Sequence, residues 1–167
     1  MNPAVWVARN AATRPHAPAV ADGASVHATW EQFATRVAAI AGGLRSVHGL
    51  MPGDRVAIVM RNRPEYLEAQ FAAWHAGLVA VPVNARLHRE EIGYILGHSG
   101  SSVVVTDDDH AEDVNALLRT VEGLRAVVLA PGTEWENLAG SPAVPVSDRL
   151  ATDPAWLFYT SGTTGRP

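Results

Sequence analysis

Continuous apolar runs alternate with helix-forming segments through the middle of the chain. The runs are short and lack a clean alternation of apolar and polar residues, which is typical of strands covered on both faces of a sheet. The predicted strands are residues 55–60, 79–83, 102–106 and 126–130, and the predicted helices between them are residues 62–74, 88–96 and 109–121. This order predicts an α/β fold: a doubly wound, mostly parallel sheet with helices on both faces.

The amino-terminal part has a different pattern. Residues 3–13 have the spacing of a short amphipathic helix, and Asp22-Gly23 separates two short apolar segments, as in a tight hairpin turn. Thr29 and Gln32 then form a capping-box pair, and apolar residues recur at steps of three and four up to residue 44. We therefore expect a short helix, a hairpin and a longer helix before the first strand of the sheet.

Two further segments carry weaker signals. In the predicted helix 62–74, Asn62 and Glu65 fit the cap and N3 positions, and the bulky residues from Leu67 to Trp74 indicate the buried side. Residues 131–154 are interrupted by proline and glycine, which predicts a surface loop with about one helical turn around Trp135 and Leu138.

The last residues of the chain carry the candidate chemistry. An apolar run at 155–158, predicted as a buried strand, leads into YTSGTTGRP at residues 159–167. Two glycines allow a close backbone approach to a ligand, and the hydroxyl residues between them add donors, which together suit a polyanion such as phosphate. The predicted phosphate-binding residues are Thr160, Ser161, Gly162, Thr163, Thr164 and Gly165.

This loop has three other interpretations. Its composition also fits an ordinary turn. A Walker loop requires G-x-x-x-x-G-K-[ST], and Gly162 and Gly165 have the wrong spacing. A nucleophilic role for Ser161 lacks the G-x-S-x-G elbow, and a Ser-Lys pair cannot form because all 13 basic residues are arginine.

Residues 159–167 resemble the signature loop of the adenylate-forming enzymes, which include acyl-CoA and aryl-CoA synthetases. That pattern continues with lysine and glycine after the proline, so we expect Lys-Gly after Pro167. Residues 53–100 are also similar in order and spacing to the amino-terminal region of acyl-CoA synthetases. The resemblance covers most of the chain but only the opening third or so of such an enzyme.

The resemblance implies a fragment of an ATP-dependent carboxylate–CoA ligase, with a small-molecule carboxylate, ATP and CoA as its ligands. It implies that residues 160–165 bind the β- and γ-phosphates of ATP and that Thr160 also contacts Mg²⁺. The whole chain would be the amino-terminal part of the large AMP-binding domain. Its expected parts are a helical lead-in with a hairpin (1–52), strand and helix units (53–130), a connecting loop (131–154) and a strand with the phosphate-binding loop (155–167).

Several family parts are missing from this sequence, including the loop lysine, the adenine and acyl pockets and the carboxy-terminal lysine domain. We therefore expect the isolated chain to be catalytically inactive and to bind ATP weakly. The alternative is a stand-alone, non-catalytic nucleotide-binding or interaction module with the same fold. An unfinished sheet edge would also invite self-association.

The composition of the chain limits the partners, the location and the metal sites that we expect. The formal net charge of -4 and the pI near 5.9 give no basic footprint for nucleic acid. The sequence has no cysteine and no apolar stretch long enough to span a membrane, so a cytoplasmic location is expected. Asp107, Asp108 and Asp109 are interpreted as helix-capping acids rather than as a metal cluster, and no histidine is proposed as a metal ligand.

Overall fold

The structure is a computed structural model that describes residues 1–160. A parallel sheet of four strands lies between two layers of helices, and a separate antiparallel hairpin precedes it. The elements in chain order are α1 (Val5–Thr13), β1 (Pro18–Asp22), β2 (Ser25–Thr29), α2 (Trp30–Ser46), β3 (Arg55–Val59), α3 (Pro64–His75), β4 (Val79–Pro82), α4 (Arg89–Ser99), β5 (Ser101–Thr106), α5 (Ala111–Leu117), β6 (Ala126–Leu129) and α6 (Thr133–Ala139).

The predicted fold class is confirmed. The strand order is β4-β3-β5-β6, and every pairing in this sheet is parallel. One face packs against α2, α3 and α6 around residues such as Ile40, Ala72 and Trp135. The other face packs against α4 and α5 around Ile95 and Leu117. Because both faces are covered, the strands are apolar throughout, which is why they read as continuous runs in the sequence.

The amino-terminal elements also follow the sequence pattern. The hairpin turns at Gly23, whose φ of 57° lies in the left-handed region that glycine tolerates. At the start of α2, the Thr29 side chain accepts a hydrogen bond from the amide of Gln32, and the Gln32 side chain accepts one from the amide of Thr29. The capping box is therefore confirmed.

The predicted start of α3 is wrong, and its predicted buried face is confirmed for two of the three large side chains. The helix begins at Pro64 after Arg63 rather than with Asn62 as its cap, because proline at the first position fixes a helical φ and needs no amide partner. Trp74 is buried as expected and Phe71 packs against the core, whereas Leu67, also expected on the buried side, is 37% exposed. The buried face is built largely from alanines, which allow α3 to lie close to its neighbours; its alanines are Ala69, Ala72 and Ala73.

A buried carboxylate ties the helices of this layer together. Glu68 of α3 is 1% exposed. Its oxygens accept hydrogen bonds from Arg36 Nε (2.8 Å) and Trp135 Nε1 (3.0 Å). Arg36 also donates to both carboxylate oxygens of Glu136, and this guanidinium holds the pKa of Glu136 below its ordinary value. Glu68 thus joins α2, α3 and α6 through satisfied polar contacts.

The segment after β6 is more ordered than a plain loop. The helix α6 contains about two turns, and Trp135 and Leu138 are buried in the core. The following residues run across α2 and the end of α3, where Val144 N donates to Ala38 O (3.3 Å) and Ser147 N donates to His75 O (2.8 Å). Glycine at position 42 permits this crossing, since a Cβ there would lie 2.1 Å from the carbonyl oxygen of Pro142.

Candidate functional site

A cleft of about 770 Å³ opens at the carboxyl ends of β3 and β4. These strands are parallel, so the loops that follow them meet at one edge of the sheet. In open α/β sheets, ligands bind at this edge. The cleft is lined by Met60, Arg61, Asn62, Tyr66, Pro82, Val83, Asn84, Ala85, Arg86, His110 and Tyr159.

Two arginines give the cleft a basic character. Arg61 pairs with Asp109 at 3.1 Å, but both side chains are more than half exposed, so the pair contributes little stability. Arg86 follows a turn in which its amide donates to Asn84 Oδ1 (3.0 Å). Guanidinium and amide groups at the end of parallel strands suit a ligand with phosphate or carboxylate groups.

A buried aspartate, Asp107, holds two of the residues that line the cleft. Asp107 is 1% exposed; its Oδ2 accepts a hydrogen bond from the amide of Arg61 (2.9 Å), and its Oδ1 is bonded to Nδ1 of His110. Burial acts to raise the pKa of Asp107, but the hydrogen bonds from the Arg61 amide and His110 outweigh it and lower that pKa. Asp107 therefore fixes both the loop after β3 and the imidazole ring.

The interpretation of Asp107, Asp108 and Asp109 as caps of the next helix is wrong. The N-cap position of α5 is occupied by His110, and no side chain forms a capping hydrogen bond there. The carboxylate of Asp107 accepts an amide from the loop after β3, 46 residues away in sequence. Asp108 and Asp109 are exposed.

His110 was missed by the sequence reasoning. Among residues 1–160, the ring of His110 forms its hydrogen bond through Nδ1. The ring lines the cleft, so its Nε2 is left for a ligand there. The signal was present in the sequence as an aspartate and a histidine three residues apart at the exit of a strand.

Residues 155–157 run along the outer side of β4 and lead the chain towards the carboxyl ends of the strands. Ala80 N donates to Ala155 O and Leu157 N donates to Ala80 O, both at 3.0 Å, so the segment runs parallel to β4. Tyr159 then forms part of the wall of the cleft, and its hydroxyl lies 2.8 Å from Nδ1 of His98. Burial raises the pKa of Tyr159.

The expectation of a buried strand at 155–158 is wrong. The segment makes a single bridge to β4, and Trp156 and Phe158 are 42% and 67% exposed. The reason is that, within residues 1–160, the segment has a neighbour on one side only.

Thr160, the first predicted phosphate-binding residue, is exposed directly beyond Tyr159. The rest of that set lies outside the described residues: Ser161, Gly162, Thr163, Thr164 and Gly165. Their role as a phosphate-binding loop, and the contact of Thr160 with Mg²⁺, stay predictions.

Residues 1–160 hold no group of three or more histidine, aspartate or glutamate side chains placed to bind a metal. None of the helices in this part of the chain is long and apolar enough to cross a membrane.

Comparison with known proteins places these features in context. A family model described as AMP-binding enzyme matches residues 7–167. Over 163 residues, the chain is 40% identical to a feruloyl-CoA synthase of Amycolatopsis sp. The match covers 97% of this chain and 31% of that protein. The chain thus spans about a third of the length of the curated relatives it matches.

Solved structures agree with this match. The N-terminal domain of FACL13 from Mycobacterium tuberculosis superposes with a TM-score of 0.86 at 28% identity, covering 96% of this chain and 42% of that one. ATP-bound MatB from Rhodopseudomonas palustris superposes with a TM-score of 0.83 at 30% identity, covering 99% of this chain and 34% of that one.

Proposed function

Because the chain belongs to the AMP-binding enzyme family, we propose that it is the amino-terminal part of the large domain of an ATP-dependent carboxylate–CoA ligase. The observation that carries the proposal is the course of residues 155–160. They leave the sheet beside β4 at its carboxyl edge, with Tyr159 in the wall of the cleft. Thr160, the first residue of the expected loop, therefore lies close to the edge where α/β proteins bind nucleotides.

The proposed reaction has two steps. A carboxylate oxygen attacks the α-phosphorus of ATP, which forms an acyl-adenylate and releases pyrophosphate. The thiol of CoA then attacks the acyl carbon, a thioester forms, and AMP leaves. The relation to a feruloyl-CoA synthase favours an aryl carboxylate as the acid, although another acyl group would use the same chemistry.

The loop residues of this chain would bind the β- and γ-phosphates. Backbone amides beside Gly162 and Gly165 and the neighbouring hydroxyl groups would donate to the phosphate oxygens, and would stabilise the charge that develops on pyrophosphate as it leaves. The exposed hydroxyl of Thr160 is an oxygen donor of the kind that Mg²⁺ accepts. When bound, the ion would neutralise phosphate charge.

We also propose a binding role for the basic wall of the cleft. Arg61, Arg86 and the ring of His110 face one cavity that continues to Tyr159. Both ATP and CoA carry several phosphates, and cationic groups in a concave site raise the local concentration of such anions.

The experiment begins with the reading frame beyond Pro167 in the source DNA. The proposal expects Lys-Gly next, followed by about twice the present length of polypeptide. The extended protein should catalyse pyrophosphate exchange into ATP that depends on an added aryl carboxylate such as ferulate. The 167-residue chain alone should not, since one loop supplies few of the contacts that the reaction needs.

A substitution assigns the activity to the loop. In the extended protein, Thr160→Ala should lower the exchange rate by about 10²–10³. Thr152→Ala removes another exposed threonine, from the connecting segment, and should leave the rate unchanged. Equal rates for the two variants would contradict a phosphate role for Thr160. Nucleotide binding by the 167-residue chain with a stop codon after Pro167 would instead favour the stand-alone module.

A further inference from the structure

Tyr159, the residue before the expected phosphate-binding loop, is contacted by a helix that lies far away in sequence. Its hydroxyl lies 2.8 Å from Nδ1 of His98 in α4, 61 residues earlier. The two rings also meet edge to face, with their centroids 5.7 Å apart. Because a phenol can donate or accept a hydrogen bond, the contact forms with either tautomer of the imidazole.

A second aromatic residue orients the ring of His98. Tyr94, one turn earlier in α4, stacks on the imidazole with a centroid distance of 5.5 Å and an interplanar angle of 21°. Side chains four positions apart on a helix are neighbours, so this stack follows from the helix itself. The imidazole is therefore in contact with two tyrosines, which restricts the orientations open to it.

The turn of α4 that carries His98 is firmly attached to the sheet. Arg55 of β3 donates to the carbonyl oxygens of Ser99 and Gly100, both at 2.7 Å. Ser99 is buried, and its hydroxyl lies 2.7 Å from the hydroxyl of Ser101, the first residue of β5. A side chain on such a rigid element can fix the position of its partner accurately.

The main chain that leads to Thr160 has few other contacts. Its last main-chain hydrogen bond is donated by Leu157 to Ala80 O (3.0 Å), and within residues 1–160 none involves the three residues that follow. Phe158 is 67% exposed. Tyr159, in contrast, packs against the core between the sheet and the helices α4 and α5. Within residues 1–160, the side chain of Tyr159 therefore makes the last contacts that hold the main chain before Thr160.

We propose that His98 is a positioning residue of the ligase: its hydrogen bond to the hydroxyl of Tyr159 fixes the main chain at Thr160, where the phosphate-binding loop of the proposed function begins. His98 is not among the residues that line the cleft, so it acts through Tyr159 rather than on a ligand. The proposal rests on the proposed function for the role of the loop, and it adds a residue from a different element.

The place of His98 predicts which measurements it affects. Misplacing a binding group by about 1 Å can lower a rate about 10²-fold, and in the proposed reaction this loop binds phosphates rather than the carboxylate. Loss of the contact should therefore affect the use of ATP and leave the KM for the carboxylate unchanged. His98 and Tyr94 are exposed, so the contact should add little to the stability of the fold.

A shape-matched pair of substitutions in the extended protein tests the kinetic effect. Leucine and asparagine branch alike, but only asparagine has a polar atom near the position of Nδ1. His98→Leu should lower kcat/KM for ATP in carboxylate-dependent pyrophosphate exchange by about 10-fold, and His98→Asn should restore most of that loss. His16→Leu, at another exposed histidine, is the control and should leave the rate unchanged. Equal kcat/KM values for the two leucine variants would overturn the proposal.

A double-mutant cycle tests whether His98 acts through Tyr159. Tyr159→Phe removes the hydroxyl and keeps the ring in the wall of the cleft. In that background, His98→Leu should have little further effect on kcat/KM for ATP, because the hydrogen bond is already absent. An undiminished effect of His98→Leu in the Tyr159→Phe background would assign His98 a different role and overturn the proposal.

A structural measurement in the 167-residue chain does not depend on ligase activity. The NMR order parameter of the Thr160 amide should be lower in His98→Leu than in His98→Asn, because only the second variant retains a partner for the Tyr159 hydroxyl. Both variants lack the imidazole ring, so the difference between them reports the hydrogen bond. Their Tm values should be nearly equal, which separates positioning from a general loss of structure.

The outcomes separate this proposal from the proposed function. If the extended protein is active and His98→Leu matches His16→Leu, the function stands and the positioning role of His98 is overturned. If the extended protein is inactive, the function is contradicted and the 167-residue chain decides the role of the contact. There, a lower order parameter of Thr160 in His98→Leu supports the contact, and equal order parameters in the two His98 variants overturn it.

Discussion

At the scale of single residues, Asp107 has the largest number of roles near the cleft. Its carboxylate holds the amide of Arg61 and the ring of His110 in the same place. Those contacts lower its pKa, so the ionised form is favoured in the folded state. The stability it contributes is therefore present above the ordinary aspartate value of about 3.9 and is lost as the pH falls through the lowered pKa.

The first prediction follows from that linkage. Asp107→Asn should reduce the free energy of unfolding by about 1.5–3 kcal/mol at pH 7, because a charge-assisted hydrogen bond is lost. The difference should shrink as the pH falls below about 4, because the carboxylate becomes protonated first in the unfolded wild type and then, below the lowered pKa, in the folded protein. Urea unfolding at pH 7 and pH 3 measures both values. Asp108→Asn, at the exposed neighbouring position, is the control and should leave stability nearly unchanged; a difference that stays constant with pH would contradict the assignment.

At the scale of elements, two helical glycines with different surroundings have opposite expected effects. Gly42 of α2 lies under the segment that crosses the helix, and a Cβ there would sit 2.1 Å from the backbone oxygen of Pro142. Gly97 of α4 has room, because the nearest atom to its Cβ position would be a Val121 methyl at 3.9 Å. Alanine is favoured over glycine in a helix by about 1 kcal/mol.

Gly42→Ala should therefore destabilise the protein by about 1–3 kcal/mol, because backbone must move and the propensity gain is smaller than that strain. Gly97→Ala should stabilise it by up to about 1 kcal/mol. Thermal unfolding of the two variants side by side measures the contrast. Stabilisation by both substitutions would show that the crossing segment does not lie against α2.

The side chains that build each element explain why the sequence predicts some elements well and others poorly. The strands of the sheet are recognisable because burial on both faces leaves them apolar throughout, and the capping box of Thr29 marks the start of α2 from local residues alone. The buried face of α3 is recognisable only in part, because alanines build much of it and Leu67 is exposed, although Trp74 is buried as expected. Periodicity of large side chains indicates the core only where large side chains fill it.

At the scale of the whole molecule, long-range contacts limit what the sequence predicts. The edge at which the phosphate-binding loop was expected could be inferred, because parallel strands place their exits together. The partner of Asp107 could not, since it is a main-chain amide 46 residues away. The exposure of Phe158 could not be predicted either. An apolar run resembles a buried strand in the sequence whether other strands lie on both of its sides or on one side only.

Two buried histidines are expected to make the fold sensitive to mild acid, at higher pH than Asp107 does. His75, at the end of α3, is bonded through Nε2 to Val144 O (2.8 Å), and burial lowers its pKa. Burial also lowers the pKa of His48, against a smaller raising effect from Glu134. The folded state binds protons at these rings less readily than the unfolded state, whose histidine pKa is about 6.5. Stability should therefore be greatest above that value and should fall as the pH decreases through 6.5 and below.

The prediction for the whole molecule is a reduced acid sensitivity in His75→Gln. Glutamine retains a nitrogen donor for Val144 O but does not titrate, so unfolding between pH 7 and pH 5 should depend less on pH than in the wild type, while stability at pH 7.5 stays within about 1 kcal/mol. His16→Gln is the matched control, because that side chain is 87% exposed, and it should retain the wild-type slope. If both variants keep the wild-type slope, titration of His75 does not make the fold sensitive to acid, and that sensitivity has another origin.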